Sequence, residues 1–252
     1  MTERERLDEI TRLGACGTAI GAAELTWLFD SLGLPVKRLQ RRAAEALAAL
    51  DSAGVVIRPS LEARLEGGSF SGRWGAAYAL ARAGDPPEAV LPVLLEAMAA
   101  TDGDLRWAAA RIAVDQVRSP ALPSALLAAA ADDRPELRKM AVYCLRDLAM
   151  RSPECEARFR TALRDEAAGV RLAGMSALAR LGIDPATTAA ALLPLLHDAE
   201  PGVQRAAAAT IGRLGCRTPE VAAALERAAG AEDGFLARAA ARALEILRAG
   251  ER

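Results

Sequence analysis

The chain has 252 residues, 52% of them hydrophobic but only 4% aromatic, and a net charge of −1. It is long enough to bury a sizeable core, and that core must be built from Ala, Leu and Val, the residues of closely packed helices. Near-neutral charge argues against a general polyanion binder, which carries a clear basic excess. The opening MTERERLDEI is charged where a secretory signal would be apolar, and no apolar run approaches the ~20 residues of a membrane-spanning helix. Cys16, Cys144, Cys155 and Cys216 lack metal-site spacing and are expected as free thiols in a reducing cytoplasm. Basic residues are almost all Arg, with Lys only at Lys37 and Lys139. With the abundance of Ala, this points to a GC-rich bacterial genome.

In chain order, residues 1–21, with Gly14, Gly17 and Gly21, are expected to form an N-terminal cap. A helical repeat then occupies 22–252, and its first copy, roughly Ala22–Leu50, is the least regular. Between Asp51 and Gly72 the segments VVIRPS and GGSFSG interrupt the pattern. A short first helix and a local bend are expected there, within one continuous domain. From there the register is strict. Apolar or small residues fall at Leu39, Gly72, Leu105, Leu137, Val170, Val203 and Leu236, five intervals of 33 residues and one of 32. Eight residues after each come Leu47, Leu80, Ala113, Leu145, Leu178, Ile211 and Leu244. A second set, Val93, Leu126, Phe159, Leu192 and Leu225, is also 33 apart and precedes acidic turns such as Asp132-Asp133 and Asp165-Glu166.

Each repeat therefore reads as helix A, acidic turn, helix B and a short loop. The turn acids are expected to cap helix B. Pro135 and Pro201 stand at helix starts, where a missing N–H costs little. Gly84, Gly182, Gly215 and Gly250 are expected as helix stops, and Arg242–Arg252 as a charged terminal cap.

The period alone also fits ankyrin and tetratricopeptide repeats, but their signature turns and aromatics are missing. The run DEAAGVR (Asp165–Arg171), followed by ALARLG (Ala177–Gly182), resembles the HEAT-repeat consensus. So does DAEPGV (Asp198–Val203), followed by IGRLG (Ile211–Gly215). The short units are similar to bacterial HEAT-like repeats of the phycobilisome-lyase type. That resemblance implies an all-α, right-handed α-solenoid of about seven antiparallel helix pairs, with the B helices lining a concave face. It also implies that Arg73, Arg106, Arg138 and Arg171 pair with a neighbouring acidic turn. As exposed pairs they would each be worth only ~0–1 kcal/mol.

Helical periodicity of helix B puts offsets 0, +4, +8 and +11 from the first apolar residue on a core seam and offsets +2, +6, +9 and +10 opposite it. The opposite stripe holds Trp74, Tyr78, Arg82, Trp107, Arg111, Lys139, Tyr143, Arg146, Arg180 and Arg213. Aromatic and Arg side chains dominate interface energetics, so this stripe is the candidate binding wall; the alternative is that the tryptophans only fill space between helices. The cluster Lys37, Arg38, Arg41 and Arg42 is expected as a solvated face. Catalysis finds no constellation. His197 is the single histidine, and neither a phosphate loop nor a nucleophile elbow is present, so no cofactor or metal is expected.

The leading functional expectation is a cytoplasmic, non-enzymatic scaffold for a protein or peptide. One alternative is a nucleic-acid binder using the Arg-rich part of the stripe, which near-zero net charge disfavours. Another, from the resemblance alone, is a lyase or chaperone subunit for a chromophore-bearing protein.

Overall fold

The computed structural model describes residues 1–249, and every regular element among them is helical. Two compact units divide the chain, Met1–Ala125 and Leu126–Arg252. Each is built as an α-solenoid of helix, turn, helix.

The first unit contains α1 (Glu3–Gly14), α2 (Ala22–Ser31), α3 (Lys37–Ser52), α4 (Arg58–Ala63), α5 (Phe70–Ala83), α6 (Leu91–Met98) and α7 (Gly103–Asp115). Helix α1 starts on a reciprocal capping box between Thr2 and Glu5 and packs on α3, which packs on α5. The interrupted stretch yields the expected short helix, α4, and Ser69 then caps α5 by accepting the Gly72 N–H at 3.2 Å. Helix α8 (Leu122–Ala129) runs through the boundary between the units.

The second unit continues with α9 (Pro135–Asp147), α10 (Pro153–Ala162), α11 (Ala168–Arg180), α12 (Pro185–Leu192), α13 (Pro201–Leu214), α14 (Pro219–Ala229) and α15 (Gly234–Ala249). Beyond α12 the chain tightens into a 3₁₀ turn, Leu193–His197, with Pro194 at its start. Five of these helices begin on Pro, at the position where a helix has no use for the missing N–H. Among the expected stops, Gly182 and Gly215 have φ of 62° and 69°, a left-handed turn that costs glycine nothing. Gly250 and the end of the charged tail lie outside the described residues.

The residues eight places into each B helix form the core: Leu47, Leu80, Ala113, Leu145, Leu178 and Ile211 are all 0% exposed. Each buried Leu contributes roughly 1.5–3 kcal/mol. Glycine allows the helices to close on one another. At Gly174, for example, an ideal Cβ would lie 2.8 Å from the Ala162 Cβ and 2.9 Å from the Phe159 carbonyl oxygen.

A ladder of arginines ties turn to turn. Arg138 donates from Nε and Nη2 to Asp165 at 2.8 Å each, and from Nη1 to the Asp132 and Asp133 carbonyls. Arg171 repeats this one register later, reaching Asp198 at 2.6 Å and the carbonyls of Asp165 and Glu166. In the first unit Arg106 grips the carbonyls of Ala100 and Thr101, and Arg73 holds Glu96 at 2.7 Å.

Two expectations change here. In the second unit the ladder is not exposed: Arg171 and Asp198 side chains are 11% and 6% accessible, so the energetics of surface pairs do not apply there, whereas the Arg73–Glu96 rung, with Glu96 43% accessible, remains a surface pair. Nor do most turn acids cap helix B. Asp102 does, accepting the Asp104 and Leu105 N–H groups, and Asp233 does, accepting the Phe235 N–H at the start of α15. Asp132, Asp165 and Asp198 instead accept the N–H two residues on, at Arg134, Ala167 and Glu200, ahead of the helix. That short turn leaves Asp165 and Asp198 presented to the arginine of the preceding repeat. Burial pushes the Asp165 and Asp198 carboxyls up, but Arg138, Arg171 and the turn N–H groups outweigh it and hold both below the usual range.

Candidate functional site

In the second unit successive B helices lie against one another, α9 on α11 and α13 on α15, as α3 lies on α5 in the first. Within the first unit α5 and α7, by contrast, barely touch. Between them, closed at one end by the start of α3, lies a cavity of about 210 Å³.

Its geometry follows from how α5 is seated. Gly75 lies so close to α2 that a Cβ there would fall 2.4 Å from the Leu32 carbonyl oxygen. The Gln40 side chain, 7% exposed, donates to that same carbonyl at 2.6 Å and to the Ser71 carbonyl at 3.0 Å. Helix α5 is thereby held against α3. Phe70, Trp74 and Tyr78 form one wall, Leu105 and Ala108 of α7 face them, and Leu34 and Pro35 close the end. The Trp74 and Tyr78 rings are tilted by 36° with centroids 5.8 Å apart.

Charge is confined to the rim. Lys37 reaches from α3 to the start of α7, with Nζ 2.5 Å from Asp102 and 3.6 Å from Asp104. The hydrogen bond to Asp102 raises the Lys37 pKa and, reciprocally, lowers that of Asp102. Arg41, one turn further along α3, lines the cavity and has no ion-pair or hydrogen-bond partner among the described residues. The basic cluster thus divides by helical spacing. Lys37 and Arg41 face the cavity, whereas Arg38 and Arg42 turn toward α1, where Glu3 and Asp8 stand.

The predicted stripe is split in the same way. Trp74 is 7% exposed and belongs to the cavity wall with Tyr78, whereas Trp107 is 48% exposed. Arg111 points to solvent with only a loose 3.5 Å contact to Asp115. Arg82 is exposed at the end of α5, outside the cavity lining.

In the second unit the stripe residues hold one another. Lys139 pairs with Glu136. The Arg146 guanidinium lies 4.6 Å over the Tyr143 ring, grips Asp147 at 2.9 Å and donates to the Ser176 hydroxyl at 2.7 Å. Arg180 also approaches Asp147, at 3.4 Å. Arg213 donates to Thr210 and, with Arg180, borders an open hollow of about 350 Å³.

Residues missed in the sequence are Leu34, Pro35, Gln40, Arg41, Phe70 and Asp104. Gln40 was the one available signal, a polar residue directly following the Leu39 seam position. Among the described residues no three His, Cys, Asp or Glu side chains gather as a metal ion requires, and no helix is long and apolar enough to cross a membrane. His197 is exposed at the end of its 3₁₀ turn, and the four cysteines are unbridged.

The family model for HEAT repeats matches residues 57–146 and 182–245, more than half of the chain. It represents HEAT repeats in general and does not select the phycobilisome-lyase type. No curated protein matches the chain in sequence. Among solved structures, the Escherichia coli protein YibA is 13% identical with a TM-score of 0.59, over 98% of this chain and 93% of that one. An engineered protein is 19% identical with a TM-score of 0.49, over 97% and 73% of the two chains. Human deoxyhypusine hydroxylase in complex with glycerol is 19% identical with a TM-score of 0.43, over 98% and 91%. At these identities YibA speaks for the fold alone, and the two looser likenesses support no functional argument.

Proposed function

The chain belongs to the HEAT-repeat family, and we propose that it is a non-enzymatic binding scaffold whose recognition site is the α5–α7 cavity of the first unit. The observation that carries this reading is the gap itself. Where neighbouring B helices could have closed over Trp74 and Tyr78, they stand apart and leave an apolar hollow with an unengaged Arg41 at its mouth. A gap left open sacrifices packing energy, and pockets that are mainly apolar with a few placed polar groups are the usual form of binding sites. Trp107 and Arg111, exposed on α7, are assigned as flanking contacts to a protein or peptide partner.

Tyr143, Arg146, Arg180 and Lys139 are engaged internally, which supports a framework role for the second unit. Four unbridged thiols support the cytoplasm as the compartment, and residues 1–21 are assigned as a cap because α1 covers the side of α3 away from α5. The test is purification of tagged protein from the source organism, with mass spectrometry of what co-elutes. Ala108→Leu should abolish a partner seen with the natural sequence while leaving the melting temperature within a few degrees. An unchanged set of partners would refute the site.

A further inference from the structure

We infer that the cavity between α5 and α7 receives one aromatic side chain from an acidic peptide segment, its ring against Trp74 and Tyr78 and a flanking carboxylate on Arg41. This rests on the scaffold reading above and gives it a ligand chemistry.

Size selects a single side chain. Pockets for whole small molecules run to about 300–1,000 Å³, while an apolar cavity of about 150 Å³ already accepts benzene. At about 210 Å³ the hollow has room for one ring and little more. Its walls select an aromatic ring. Phe70, Trp74 and Tyr78 offer faces and edges for tilted ring contacts. The Trp74 indole N–H and the Tyr78 hydroxyl have no hydrogen-bond partner among the described residues, and neither is sealed from solvent. Both remain available to a backbone carbonyl of the entering segment.

Charge selects the flank. Three charged groups line the mouth, Lys37, Arg41 and Asp104, and Asp102 stands beside them as a partner of Lys37. Asp102 and Asp104 both turn to the Lys37 ammonium, so the mouth is neutral as a whole but neither carboxylate engages Arg41. Arg41 is left over, one helical turn along the same rim. An unpaired guanidinium beside an apolar hollow fits a carboxylate in bidentate geometry. A basic flank would offer it no acceptor.

The probe is a set of fluorescein-labelled peptides, Glu-Glu-Phe-Glu-Glu with Phe→Ala and Glu→Lys counterparts, titrated into the full chain by fluorescence anisotropy. Saturable binding of the Phe peptide is expected, weakened at least about tenfold by Phe→Ala through loss of ring burial. The Lys-flanked peptide should be similarly weak. Ala108→Leu, which fills the hollow, should abolish binding, and Arg41→Glu should reverse the preference toward the Lys-flanked peptide. Circular dichroism melts verify that both variants fold.

Equal affinity for the Phe and Ala peptides, or indifference to Arg41→Glu, would overturn the inference, as would the absence of saturable binding. If no peptide bound while a co-purifying protein still depended on Ala108, the aromatic–acidic ligand would be overturned and the scaffold reading would stand.

Discussion

Removal of Asp198 probes the buried ladder that sets the repeat geometry. In the folded chain its carboxylate accepts Arg171 Nη2 at 2.6 Å and the Glu200 N–H at 2.9 Å, with 6% of the side chain accessible. Asp198→Ala leaves Arg171, 11% accessible, without its counter-charge. Losing one partner of a buried pair costs about 3–5 kcal/mol, whereas one charge-assisted hydrogen bond is worth about 1.5–3 kcal/mol. Arg171 keeps its two carbonyl bonds at 2.8 and 2.9 Å, which favours the low end, about 3 kcal/mol. The comparison is Asp115→Ala. It removes the pair with Arg111, whose side chains are 51% and 79% accessible, and should cost less than about 1 kcal/mol. Urea titrations followed by circular dichroism measure both. If Asp198→Ala costs no more than Asp115→Ala, the ladder is surface decoration and the argument from its burial is wrong.

Three further outcomes are expected. At Gly174, substitution by Ala drives a Cβ to within 2.8 Å of Ala162 and should destabilise by about 1–3 kcal/mol; a neutral change in the urea midpoint would show that α10 and α11 yield. The Asp132, Asp165 and Asp198 carboxyls are depressed in the fold, Asp132 to about 2 through its hydrogen bonds from Arg134. A depressed carboxyl stabilises the fold above its unfolded pKa near 3.9 and loses that contribution as pH falls through the folded value. The melting temperature should therefore stay level from pH 7 to about 5 and fall between about pH 4 and 2, and a level profile down to pH 2 would contradict the assignment. Finally, burial pushes the Cys144 thiol up to about 12. In native protein at pH 8 it should resist a thiol reagent that labels the partly exposed Cys16, and mass mapping of the labelled peptides would expose the opposite order.

The repeat was legible in the sequence because its determinants are local. Pro135 and Pro201 start helices and Gly182 and Gly215 stop them whatever lies beside them. The apolar period needs only the helix to be recognised. The pairing of Arg138 and Arg171 with a neighbouring turn was implied by the resemblance to HEAT repeats, and the structure holds both pairs.

What remained hidden depends on distances across repeats. Trp74 sits at an offset that faces outward in a regular solenoid, yet Gly75 lets α5 settle onto Leu32 and the indole becomes a cavity wall. Nothing in the spacing of Phe70–Ala83 and Gly103–Asp115 discloses that α5 and α7 stand apart, because their register is the same 33 residues as elsewhere. Lys37 looked like part of a solvated cluster for the same reason: its fate depends on Asp102 and Asp104, two repeats away. The ladder's burial was likewise set by packing around Asp165 and Asp198, not by their identity.

The central claim is that Trp74 lines a site a partner enters, and a chain carrying Trp27→Phe and Trp107→Phe leaves Trp74 as the sole tryptophan, excited apart from the tyrosines at the red edge of its absorption. Titration with Glu-Glu-Phe-Glu-Glu should shift its emission saturably, and the shift should vanish when Ala108→Leu is added. An emission spectrum that stays constant while the peptide demonstrably binds would contradict the site.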